Sequence, residues 1–74
     1  MVFPKREVVE ELRKKYPEGT LVELISMSDP YREMPEGLKG IVRFVDDTGT
    51  IHVNWENGST LGIVYGEDRC RIIE

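Results

Sequence analysis

A single cysteine, a single histidine and no apolar run near the roughly 18 residues of a membrane span remove several classes of protein at once. Cys70 has no second cysteine for an internal disulfide. With only His52 to help, it falls short of the four ligands of structural zinc. Neither a metal nor a cofactor is therefore expected. The opening residues Met1-Val2-Phe3-Pro4-Lys5-Arg6 lack the apolar core of a signal peptide, which places the expected protein in the cytoplasm with no membrane partner. Aromatics are scarce at 8%, too few to count as a ligand cage by number alone. What remains is 74 residues, 39% hydrophobic and 32% charged, the balance of an ordinary folded domain. That length supports one domain, near the lower limit for a core without staples.

The net charge of −4 is unevenly spread. Residues 1–17 carry five basic groups against three acidic ones, whereas residues 18–74 carry five against eleven. A domain built from the second part repels phosphate backbones, so nucleic-acid binding is disfavoured and survives only as an alternative through the N-terminal segment.

From Pro4 to Tyr16 the spacing predicts an amphipathic helix. Val8 or Val9, Leu12 and Tyr16 fall on one face, with Lys5, Arg6, Glu10, Arg13 and Lys14 on the other. Pro4 suits a first turn, Glu10–Lys14 and Glu11–Lys15 are spaced for side-chain pairing, and Pro17 and Gly19 end the pattern. A helix this short needs to dock its apolar stripe, either on its own chain or on a second copy as a weak homodimer.

Beyond Gly19 the period becomes two. Strands are expected over Thr20–Ile25, Leu38–Asp46, Thr50–Trp55, Ser59–Val64 and Arg69–Ile73. In the second, Leu38, Val42 and Phe44 are read as sharing a face with Gly40, a glycine that signals a bend or close approach. In the third, Ile51, Val53 and Trp55 point inward. Asn57-Gly58 reads as a type I′ hairpin turn, and Cys70 and Ile72 of the last strand are read as inward. Three connections are short, while Ser26–Gly37 is long and polar. One long loop, a meander and a short corner, which could hold a 3₁₀ turn, before a final strand form an SH3-like pattern; an OB-fold needs a second long connection. The expected fold is mainly β: a small five-stranded SH3-like barrel over about residues 19–74, preceded by one helix over about 4–16.

The stretch Gly40–Gly62, with Gly-Thr-Ile-His-Val-Asn-Trp-Glu-Asn-Gly at 49–58, resembles a family of small bacterial and phage proteins catalogued as domain of unknown function 4314. Met27-Ser28-Asp29-Pro30-Tyr31 and Gly66-Glu67-Asp68 are similar to it as well, so the likeness spans roughly Glu18–Asp68. It implies a bacterial or phage setting, often on mobile elements, and carries no activity. Val53–Gly58 is also similar to a hairpin in SH3-like modules of eukaryotic ubiquitin ligases, which bind partner peptides, a likeness of fold alone.

No nucleophile, base and orienter are brought together by spacing, so no catalytic residue is expected and the protein reads as non-enzymatic. His52 reads as a solvated strand residue and Cys70 as a small buried hydrophobe. Asp46-Asp47 and Glu67-Asp68 lack the ligand ladder of a calcium loop and read as turn caps. The expected function is a binding module for a peptide or protein partner. Its candidate surface is the long loop, with Met27, Asp29, Tyr31, Arg32 and Met34, together with Tyr65 and Trp55. Trp55 has a competing reading as core. The alternative function is a nucleic-acid-associated accessory protein.

Overall fold

A computed structural model describes residues 4–28 and 34–73. Helix α1 spans Arg6–Lys15. Four strands follow, β1 (Leu21–Ser26), β2 (Lys39–Val45), β3 (Ile51–Trp55) and β4 (Arg69–Ile72). They form one antiparallel open sheet in the order β3-β2-β1-β4. The helix docks on its own chain. Val9 and Tyr16 are buried and Leu12 packs against the core. Arg13 adds a polar latch, donating from Nε to the Val45 carbonyl at 3.0 Å and from Nη2 to Asp47 at 2.7 Å. The apolar stripe thus packs within the chain, the first of the two dockings expected for it. The charged pairs along the helix are Arg6–Glu10 and Glu11–Lys14, in place of the expected Glu10–Lys14 and Glu11–Lys15.

Side chains facing the helix form the core: Val22 and Leu24 of β1, Val42 and Val45 of β2, and Ile51, Val53 and Trp55 of β3. A register shift between Val42 and Phe44 breaks the strict alternation expected for β2. The extra residue of that bulge turns Phe44 to the outer face, 46% exposed, and passes its inward place to Val45. Phe44 then stacks on His52, centroids 4.3 Å apart. Ile72 is likewise not buried, because nothing among the described residues covers the outer edge of β4.

The fifth strand does not form. Residues 59–63 follow β3, and Ile51 and Ile63 exchange both backbone hydrogen bonds, but the ladder is broken between these ends. At Leu61 both backbone groups are taken by side chains: the carbonyl accepts from the Trp55 indole at 2.8 Å, and the N–H donates to Ser59 Oγ at 3.2 Å. The turn before it differs too. Trp55 O accepts from Gly58 N and Trp55 N donates to Ser59 O, with Gly58 at φ +89°, which is a three-residue glycine-bulge turn and not a two-residue type I′ turn.

The β2–β3 turn is organised by Asp46. Its Oδ1 accepts from Thr48 N, Thr48 Oγ1 and Thr50 N, and its Oδ2 lies 2.8 Å from His52 Nε2. Burial alone raises this carboxyl's pKa, but the hydrogen bonds from Thr48, His52 and Thr50 outweigh it and hold the group well below the usual carboxylate range. A depressed folded pKa contributes stability that is present above the unfolded value and lost as pH falls below it. Asp46→Asn is therefore expected to cost about 1–2 kcal/mol at neutral pH. The gap between variant and parent should narrow below about pH 4, as followed by urea midpoints across a pH series.

Candidate functional site

Because residues 59–63 do not continue the sheet to β4, an opening remains between them, and α1 roofs it. This is a cleft of about 360 Å³. Ile51 and Ile63 line its depth, Leu12 and Tyr16 of the helix form one wall, and Arg69 and Cys70 of the β4 edge form the other. Tyr65, 47% exposed, stands with Glu67 at the rim. The turn that carries them is closed by Glu67 N and Asp68 N donating to Val64 O.

Asp68 ties this turn to the start of the long loop. Its Oδ1 accepts from Ser28 N at 2.8 Å and Ser28 Oγ at 3.2 Å, and its Oδ2 accepts from Val64 N at 2.9 Å. The carboxylates of Asp46 and Asp68 are thus both occupied by local donors. Among the described residues no three His, Cys, Asp or Glu side chains converge on a metal position, and no helix is long and apolar enough to cross a membrane.

Two titratable groups meet in the cleft. Burial raises the Tyr16 hydroxyl, and the neighbouring Cys70 raises it further. Burial also raises the Cys70 thiol, with the neighbouring Tyr16 hydroxyl and the charge of Lys15 opposing only in part. A thiol held protonated is a poor nucleophile.

The sequence-derived site residues are divided by this geometry. Tyr65 lies on the cleft. Met27 and Met34 are half-buried against the core, and Asn57 Nδ2 reaches the Met34 sulfur at 3.8 Å. Asp29, Tyr31 and Arg32 lie outside the described residues. Trp55 is 4% exposed with its indole N–H bonded to Leu61, so it belongs to the core and offers no face to a groove. By spacing, Leu12, Tyr16, Ile63 and Cys70 belong to the helix stripe or to strand interiors; the interrupted ladder at Leu61 turns them into cleft walls. The one sequence signal for that interruption is Ser59 two residues before Leu61, within reach of its N–H.

Three of the basic groups of the helix segment are paired within the chain, while Lys5 and Lys15 are in no ion pair among the described residues. Arg6 pairs with Glu10, Lys14 with Glu11, and Arg13 with Asp47. Over residues 5–73 the chain matches the family described as Domain of unknown function (DUF4314). No curated protein and no solved structure matches it.

Proposed function

The chain belongs to this family of unassigned activity, and we propose that it is a non-enzymatic binding module taking an extended peptide segment of a partner protein at the cleft beside β4. The observation that carries this reading is the juxtaposition of an apolar cleft with a sheet edge. β4 ends the sheet, and Cys70 lies in the non-hydrogen-bonded register with Leu24, since Ile73 N donates to Leu21 O two steps from the Glu23–Arg71 pair. The backbone groups of Cys70 therefore point away from β1, toward the opening. A peptide strand added there gains main-chain hydrogen bonds from the edge, while alternate side chains enter the cleft between Leu12, Tyr16 and Ile63. A volume of about 360 Å³ suits an apolar anchor with polar groups at its rim. Asp68, which lines the cleft, also holds Ser28 at the start of the long loop. The internal pairing of Arg6, Arg13 and Lys14 leaves only Lys5 and Lys15 outside ion pairs in the helix segment, which weighs against the nucleic-acid alternative.

The test is selection from a displayed random-peptide library, followed by mapping of the selected peptides on the labelled protein by NMR. Shifts are expected at Leu12, Tyr65, Glu67 and Cys70. Tyr65 is half exposed, so Tyr65→Ala should leave the fold intact and weaken binding by about tenfold or more, the loss of an aromatic contact worth roughly 1–2 kcal/mol. Shifts confined to other faces, or affinity unchanged by this substitution, would remove the cleft from consideration. Affinity for oligonucleotides that collapses with salt would favour the alternative.

A further inference from the structure

The outer face of the sheet carries an ordered pattern that neither the core nor the cleft uses. Alternation along each strand places Leu21 and Glu23 of β1, and Lys39 and Ile41 of β2, opposite the buried Val22 and Gly40. Registers across the sheet then align these side chains in two rows. One row is charged and alternates in sign, Glu56, Lys39, Glu23, Arg71: Glu56 N donates to Lys39 O, and strand register sets Lys39 beside Glu23 and Glu23 beside Arg71. The adjacent row runs Asn54, Ile41, Leu21, Ile73. Ile41 is 49% and Leu21 39% exposed, and the two rows frame a depression of about 250 Å³.

We infer that this face is the contact between two copies of the chain, packed sheet against sheet. Charge complementarity supports this contact. The charged row changes sign about the line between β1 and β2, so a two-fold axis along that line sets every charge opposite its counter-charge. Glu56 meets the second copy's Arg71, and Lys39 meets the second copy's Glu23. The same operation lays Ile41 over the second copy's Leu21, and the reverse, which is the self-matching contact a closed dimer requires. Sheets stacked in this way keep their strands within about 30° of each other. Within one chain Glu23 is already paired with Arg71 at 2.5 Å, whereas Lys39 has no ion pair among the described residues. The second copy's Glu23 supplies one. The contact leaves most of the cleft walls, which face the other side of the sheet, uncovered.

Sedimentation analysis of the full chain over a dilution series tests this. The parent is expected to show a reversible monomer–dimer equilibrium. Lys39→Glu sets like charges against Glu23 of the second copy, and Glu23→Lys does the same against Lys39, so each variant alone should dimerise at least tenfold more weakly. Mixed together, they restore opposite charges at every position and should form a heterodimer. This recovery cannot come from altered folding of either variant, and thermal melts of each confirm that both are folded. Ile41→Glu, at a half-exposed position, should be monomeric alone and in every mixture. A parent that stays monomeric throughout the series overturns the inference, as does a mixture of the two charge variants that shows no heterodimer.

Discussion

Trp55→Ala is expected to remove a large share of the chain's stability. A domain of 74 residues holds roughly 4–11 kcal/mol of net stability at the usual 0.05–0.15 kcal/mol per residue. Removal of a fully buried tryptophan costs about 3–5 kcal/mol. Here the loss has two parts. The ring contributes the largest single side chain of a small core, packed between Gly40 of β2 and the segment that follows β3. The indole N–H also satisfies the Leu61 carbonyl, which lacks the ladder partner a regular fifth strand would supply. Trp55→Phe separates the two. It keeps an aromatic ring in the core but leaves the carbonyl without its donor, for about 1–2 kcal/mol on top of the smaller loss of buried area. Urea unfolding of both variants checks the ordering, with the alanine form unfolding at a clearly lower urea midpoint than the phenylalanine form. Equal destabilisation would mean that the hydrogen bond, and not the packing, dominates.

The contrast between Trp55 and the strand it was expected to pair with shows where the sequence is legible. Period and turn residues report on the backbone locally, so α1 and the four strands appear within a residue or two of their expected positions. Two features escape that reading because neither changes the local period. At Leu61, Ser59 and Trp55 capture both backbone groups, so an apparently good strand leaves a cleft instead. At Arg43, a bulge reverses the face of Phe44, and alternation then misassigns it. The first is a choice between hydrogen-bond partners that only the folded chain brings together, and the second is an inserted residue that the alternation does not mark. The cleft follows from the first of these choices, which is why its walls were assigned to core and stripe. The outer-face rows, by contrast, emerge only when strand registers are known, since residues as distant as Glu56 and Arg71 must be aligned.

Gly40 is the position where sequence and structure agree most closely, and it carries the second large effect. On a half-exposed strand, exchange of glycine for a β-branched residue is ordinarily favourable, because glycine weakens strands. At Gly40 the sign reverses. A Cβ there would lie 2.5 Å from Val53 Cγ1, 2.8 Å from Trp55 Cε3 and 3.0 Å from the Asn54 carbonyl oxygen. The valine methyl can move only by a rotamer change inside a filled core, and the carbonyl belongs to the adjacent strand of the sheet. Gly40→Ala is therefore expected to cost about 1–3 kcal/mol, and Gly40→Val more, through forced separation of β2 from β3. A double-mutant cycle identifies the obstacle. Val53→Ala alone opens a cavity and destabilises, but it also removes the closest atom to the new Cβ. Gly40→Ala and Val53→Ala together should then cost less than the sum of the two by about 0.5–3 kcal/mol, a coupling that urea midpoints resolve. Strict additivity would show that the Asn54 carbonyl and the Trp55 ring, not Val53, set the spacing between these strands.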